Sequence, residues 1–216
     1  MAQIFPKWAN KVPLYAVIIL GIKVVVITLV IWYYFSPKFT DAGYRPIQPI
    51  AFSHKLHAGD LKLDCRYCHS NVEISPNANV PPVQTCMNCH KIVRLDSPKL
   101  EPVRESFKSN TPIEWVRVHN LPDYVYFNHS AHFNAGVGCQ SCHGNIPEME
   151  VVQQKESLSM SWCLDCHRNP DNQIRPKDKV TDFAWKPESD HSAFVTDFKN
   201  NHHINPPTTD CFGCHR

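Results

Sequence analysis

Five times in this chain two cysteines stand two residues apart and a histidine follows at once: Cys65/Cys68/His69, Cys86/Cys89/His90, Cys139/Cys142/His143, Cys163/Cys166/His167 and Cys211/Cys214/His215. These motifs use all ten cysteines, which leaves none for a disulfide or a free nucleophile. On a helical turn, positions i, i+3 and i+4 share one face. Two thiols and an imidazole can therefore reach one flat ligand together. This is the attachment signature of c-type haem, in which the thiols add across the vinyl groups and the histidine binds the iron. Zinc ribbons also use Cys-x-x-Cys pairs, but zinc does not need a histidine directly after every second cysteine. The reading is five covalently bound haem c groups, with His69, His90, His143, His167 and His215 as proximal ligands.

Such a load constrains the fold. The chain has 216 residues, and beyond an apolar N-terminal segment roughly 180 remain, enough for one domain or two small ones. Proline is abundant at 18 and glycine scarce at 7, which favours stiff, irregular connections over long helices or a sheet. With so few residues per haem, the macrocycles form much of the apolar core. Thioether and iron–histidine bonds then act as staples, as metals do in other small scaffolds. The formal net charge is only +2, so there is no electrostatic case for nucleic acid. No Ser-His-Asp set, phosphate loop or carboxylate pair marks a catalytic site.

From Val12 to Phe35 runs an apolar stretch of 24 residues, longer than the ~20 needed to span a bilayer. It ends in Trp32-Tyr33-Tyr34-Phe35, an aromatic belt for a membrane–water boundary. Lys23 near its centre costs about 2.5–3.5 kcal/mol on the insertion scale, while Val, Ile and Leu together contribute roughly 4–8 kcal/mol the other way. Insertion is expected. Intramembrane charge usually faces protein or a watery cavity; Lys23 is read either as facing a partner membrane subunit or as snorkelling to an interface. The apolar run is longer than a signal-peptide core and no small-x-small cleavage site follows it, so residues 1–36 read as an uncleaved signal-anchor. Residues 37–50 are a proline-punctuated linker.

Phe52-Ser53-His54-Lys55-Leu56-His57 precedes the first haem motif, and Phe127-Asn128-His129-Ser130-Ala131-His132 precedes the third. His54 to His129 and His57 to His132 are each 75 positions, Cys65 to Cys139 is 74 and Cys86 to Cys163 is 77. A fixed offset of this kind marks an internal duplication. It gives a first two-haem unit at 51–108, a second at 109–168 and a C-terminal single-haem unit at 169–216, with the last motif at the end of the fold. A lone histidine is more often surface or core than a ligand. Two matching pairs, each just upstream of a haem motif, read instead as distal iron ligands: His54, His57, His129 and His132. His119, in an aromatic and apolar setting before the second repeat, is the preferred fifth; His202, His203 and His191 are its rivals. Met87 and Met160 sit too close to their own motifs to reach the iron, and Met149 has no supporting pattern. All five haems are expected to be bis-histidine and low-spin, and filled coordination suits electron transfer rather than substrate binding. Tyr67, Trp162 and Phe212 are expected to pack on porphyrin. Lys91, Arg168 and Arg216 follow motifs directly and read as propionate partners or solvated charges.

The Phe-x-His-x-x-His segment before Cys-x-x-Cys-His resembles the class III multihaem cytochromes of c3 and c7 type. That resemblance implies a mostly irregular fold with short α-helices around the haems, here with one N-terminal transmembrane helix. It also implies that His54 and His129 serve the haems of His69 and His143, while His57 and His132 reach later ones. More broadly, the N-terminal Met-Ala-Gln-Ile-Phe-Pro-Lys-Trp-Ala-Asn-Lys, the single span, the segment from Val118 to His129 and all five motifs are similar to the pentahaem, membrane-anchored cytochrome c subunits of bacterial alternative complex III. The resemblance implies an electron relay in a quinol-oxidising respiratory complex. Its partners would be polytopic membrane subunits, an iron–sulfur subunit, and a monohaem cytochrome c or terminal oxidase as acceptor. The location implied is the bacterial inner membrane, with the haem domain in the periplasm. A stand-alone membrane-anchored quinol dehydrogenase feeding periplasmic reductases is the alternative.

Overall fold

The computed structural model describes residues 4–215. Residues 1–3 of the N-terminal start and Arg216 lie outside the described residues. Contacts divide the chain into two units, with the boundary between Thr40 and Asp41.

The first unit is built on one long helix. A 3-10 turn at Lys7–Lys11 leads into α1, Val12–Tyr34, which carries Pro13 in its first turn, where a missing N–H is harmless. The last turn closes with the Phe35 N–H donating to the Ile31 carbonyl at 3.0 Å. Pro37 then opens a single further turn, α2, Pro37–Thr40. Phe39 folds back so that its ring centre lies 4.7 Å from that of Tyr34 and 5.6 Å from that of Tyr33. The helix is predominantly apolar and long enough to cross a membrane, and its apolar window is exposed. A helix of that kind needs lipid or protein around it. Lys23 is exposed midway along α1. If it faces a partner subunit, Lys23→Leu should reduce co-purification of membrane partners; unchanged yield and activity would mean that it only snorkels.

The second unit has short helices and, among the described residues, no strand. A π-helical turn at Lys55–Asp60 is followed by α3 (Cys65–Cys68), α4 (Val83–His90), α5 (Glu101–Ser109), α6 (His129–Asn134), α7 (Gln140–His143), α8 (Met160–Arg168), α9 (His191–Asn201) and α10 (Cys211–Cys214). The apolar core is small and split. Ile50, Val83, Met87 and Val103 form one cluster, with Trp115 packed against it; Ile174, Val195 and Phe198 form the other. Clusters of this size cannot by themselves offset the ordering of so many irregular residues. Covalent and iron–ligand staples fit that requirement.

The helices start where the sequence caps them. Asn128 accepts from Ala131 N–H at the head of α6, and Ser159 from Trp162 N–H at the head of α8. Asp64 caps α3, accepting from Arg66 N–H at 2.8 Å, and its carboxylate is gripped by the Arg66 guanidinium. The hydrogen bonds from Arg66 hold the Asp64 carboxyl down to about 2. Its contribution is therefore fully present above the ordinary carboxylate range and is lost as pH falls toward 2. Asp64→Ala should cost about 1 kcal/mol at neutral pH, a typical loss for a cap, and the deficit should shrink in acid. Thermal unfolding of the haem-loaded protein at several pH values would check both.

The two Phe-x-His-x-x-His segments adopt matching geometry. Phe52 stands edge-on to His54 at 4.8 Å and stacks on His57 at 4.4 Å; Phe127 does the same to His129 at 4.7 Å and His132 at 4.5 Å. The halves also clasp each other reciprocally. Lys55 N–H in the first donates to the Met149 carbonyl in the second at 3.0 Å, while Ser130 N–H in the second donates to the Ser75 carbonyl in the first at 3.2 Å. These bonds are counterparts under the offsets of 75 and 74 read in the sequence. Ser53 Oγ–H donates to Glu150 at 2.6 Å, and Asn134 Nδ2–H donates to the Glu73 carbonyl at 3.1 Å. Gly59 makes the first clasp possible: a Cβ there would lie 2.3 Å from the Pro147 carbonyl oxygen.

Candidate haem sites

Each motif forms a helical turn. The histidine N–H donates to the carbonyl of the first cysteine at 2.8 Å for His69 and Cys65, 3.0 Å for His143 and Cys139, and 2.8 Å for His215 and Cys211. First cysteine and histidine are thereby stacked on one face. All ten cysteines are unpaired with one another. Among the described residues, no three His, Cys, Asp or Glu side chains converge on one small ion. Burial pushes the Cys139 thiol up to about 11, with Cys65 next in effect, and the Cys142 thiol up to about 12, with Cys166 and Cys163 next. Such thiols lack the lowered pKa of reactive or redox-active cysteines.

The imidazoles are set up to bind metal through their outer nitrogens. A backbone carbonyl can only accept, so a ring nitrogen facing one carries the proton. Nδ1–H donates to the Ser53 carbonyl from His57 at 2.8 Å, to Asn79 from His69 at 2.6 Å and to Val93 from His90 at 3.1 Å. It donates likewise to Pro76 from His129 at 2.8 Å, to Asn128 from His132 at 2.8 Å and to Thr208 from His167 at 2.6 Å. Six rings are thus held in the tautomer that leaves Nε2 with its lone pair free for a metal, the usual arrangement of ligating histidine. Burial, with neighbouring imidazoles adding to it, lowers His54 to about 4 and His143 to about 3, and lowers His119 and His132 as well. At neutral pH these rings are uncharged, the form that coordinates metal.

The rings also pair. Two imidazoles on opposite sides of one metal ion hold their ring centres roughly 6 Å apart, given metal–nitrogen bonds of about 2 Å. The observed separations are 6.2 Å for His57 and His90, 6.1 Å for His132 and His167, and 6.4 Å for His129 and His143, the last nearly parallel at 13°. Two of these pairs are equivalents under the duplication. His54 lies near enough to His69 to lower its own pKa through charge, and its buried Nδ1 has no hydrogen-bond partner.

The remaining histidines separate clearly. His119 lies 4.4 Å, ring to ring, from His143, and its Nε2 is buried without a hydrogen-bond partner. A buried nitrogen left unsatisfied is costly, and a metal bond would satisfy it. His191 instead uses Nε2 on the Asp171 carbonyl at 3.1 Å. His202, 4.5 Å from the Phe198 ring, and His203 are exposed. His215 faces Tyr124 at 5.8 Å, and the 124–126 segment is tied to the last motif by the Val125–His215 bridge and by Tyr126 N–H donating to the Cys214 carbonyl at 2.8 Å. Met87 is buried in the first apolar cluster. Tyr67 is half-exposed and Phe212 is 90% exposed. Arg168 lies 4.0 Å from Asp165, and Lys91 is exposed.

Sequence reasoning missed the carbonyls that orient the imidazoles. Pro76, Asn79 and Thr208 act through backbone oxygens, which every residue carries, so no residue type signals them. It also missed Tyr124 against His215, since an exposed tyrosine carries no ligand pattern. Taken together, the paired thiols, the oriented neutral imidazoles, the iron-bridging separations and the orphaned ring nitrogens fit covalently held haem c.

No family model matches the chain. A relative, the multihaem cytochrome c subunit of a menaquinone reductase from Nitratidesulfovibrio vulgaris (strain Hildenborough), is 30% identical over 175 residues, which cover 78% of this chain and 77% of that protein.

Proposed function

The chain belongs to the family of multihaem cytochrome c subunits, and from that premise we propose that it relays electrons between a quinone-linked membrane complex and a periplasmic carrier, with no catalytic site of its own. The observation that carries this reading is the pairing of three motif histidines, His90, His143 and His167, with a second imidazole at iron-bridging distance. An iron with both axial positions filled has no room for substrate. Haem c supplies one-electron chemistry; the chain supplies ligand type, orientation and dielectric.

In this proposal the chain holds five haem c groups on Cys65/Cys68, Cys86/Cys89, Cys139/Cys142, Cys163/Cys166 and Cys211/Cys214. The distal ligands are His54, His57, His119, His129 and His132. His119 is preferred over its rivals because its outer nitrogen is buried and unsatisfied, whereas that of His191 is spent on a carbonyl and His202 and His203 are exposed; the motif histidine beside it is His143, at 4.4 Å and already paired with His129, so the iron that His119 serves is left unassigned. The chain divides into an anchor (1–36), a linker (37–50), two two-haem units (51–108 and 109–168) and a single-haem end (169–216). Helix α1 anchors it in the bacterial inner membrane, and the haem units face the periplasm, where c-type haem is attached.

The finer reading is the pentahaem subunit of an alternative complex III. In it, a quinol-oxidising complex with an iron–sulfur subunit passes electrons through this chain to a monohaem cytochrome c or a terminal oxidase. The name of the relative favours a second reading with the opposite direction of flow, toward menaquinone. In the purified complex, haem reduction by menaquinol supports the first; reduction by a periplasmic cytochrome and reoxidation by menaquinone supports the second. The haem-loaded chain alone in detergent should not be reduced by menaquinol but should be reduced fully by dithionite. Rapid reduction blocked by a quinone-site inhibitor would overturn the relay and favour a stand-alone quinol dehydrogenase.

A further inference from the structure

The five motifs do not neighbour one another in the order in which the sequence presents them. The first and second meet where Asn88 Nδ2–H, inside the second, donates to Tyr67 Oη, inside the first, at 3.1 Å. The first and third share one short segment: Thr181 Oγ1–H donates to Asp64, the cap of α3, at 2.9 Å, and Cys139 N–H donates to the Val180 carbonyl at 3.1 Å. Helix α6 joins the third and fourth, because its His129 and His132 pair with His143 and His167. The fourth and fifth meet at Thr208, whose carbonyl accepts from His167 Nδ1–H at 2.6 Å and whose side chain packs against Gly213 within the last motif.

We infer that the haem sites form one unbranched row in the order second, first, third, fourth, fifth, so that the sites of His90 and His215 are its two ends. A separate observation supports the choice of ends. Of the ten cysteines only Cys89 and Cys211 are exposed, one in each end motif, while the other eight are partly covered. Phe212, beside Cys211, is 90% exposed. Each end site thus presents one open attachment cysteine, whereas both cysteines of every interior site are partly covered. Resting on the relay reading, this makes the two ends the points of exchange with two different partners. The motif met first in the chain is an interior station.

Locating the irons by anomalous diffraction from crystals of the haem-loaded full chain tests the row without any activity measurement. The expected nearest neighbours are the irons of His90 and His69, His69 and His143, His143 and His167, and His167 and His215, with the irons of His90 and His215 the most widely separated pair. An iron of His69 at an end, or a branch at His143, would overturn the row. Fewer than five irons would overturn the five-haem reading and the row with it. An intact row in a protein that passes no electrons would leave the order standing and remove only the relay. For the ends, Cys211→Ala with Cys214→Ala should slow exchange with one partner by about tenfold or more, a barrier change of at least ~1.4 kcal/mol, and spare the other. Slowing of both or of neither would overturn their assignment.

Discussion

On the proposed reading of five bis-histidine haems, His132→Ala is expected to turn one iron into a high-spin centre that binds carbon monoxide when reduced. The His132 ring sits 6.1 Å from that of His167, stacks on Phe127 at 4.5 Å and is oriented by its Nδ1–H bond to the Asn128 carbonyl at 2.8 Å. Alanine removes the distal nitrogen while keeping the helix, since alanine is the best helix former and the Asn128 cap is untouched. About one-fifth of the haem should then bind carbon monoxide, against none in the parent, because only an open axial position admits a ligand. His57→Ala should do the same at His90, because its geometry is the duplicate: 6.2 Å between rings and the same bond to a carbonyl four residues earlier. If neither variant yields carbon monoxide binding or a high-spin resonance, these histidines are not iron ligands.

Gly59→Ala is expected to give the largest stability loss of any single methyl addition between the two halves. The new Cβ would lie 2.3 Å from the Pro147 carbonyl oxygen. That neighbour is backbone, held by the clasp between Lys55 and Met149, so it cannot swing aside as a side chain would. Forced overpacking of this kind costs about 1–3 kcal/mol. Gly21→Ala is the control: nothing lies within 4 Å of its Cβ, and replacing glycine within a helix usually gains a few tenths to about 1 kcal/mol. Matched thermal melts of the haem-loaded variants decide the case, and a Gly59→Ala midpoint equal to the parent would mean that the clasp yields freely.

What was legible in the sequence was whatever depends on residue type at fixed spacing. The motif turns follow from i, i+3, i+4 geometry. The apolar helix follows from its unbroken run, and its observed limits, Val12–Tyr34, fall one residue short of the expected end at Phe35. The equivalence of His54/His57 with His129/His132 follows from the offset, and the matching Phe–His stacks express it in three dimensions. What was not legible runs through the backbone. The carbonyls of Pro76, Asn79 and Thr208 orient three imidazoles across gaps set by the tertiary fold. The Asn88–Tyr67 and Asp64–Thr181 contacts that place motifs side by side join ordinary polar residues with no pattern. The crossing of the halves was hidden too, because a repeat shows that two units are alike without showing which contacts they exchange.

That crossing bears on how the protein is made. Ser53 in the first half finds its partner, Glu150, only 97 positions later, and the Lys55 clasp likewise waits for Met149. Contacts this distant in sequence close slowly, because loop entropy is spent before they reward it. During synthesis the first half therefore emerges without the strut that completes it. Its cysteines remain on a loose chain while the second half follows. For a polypeptide whose thiols must be reached before haem can be attached, late closure would keep both halves accessible until attachment is complete.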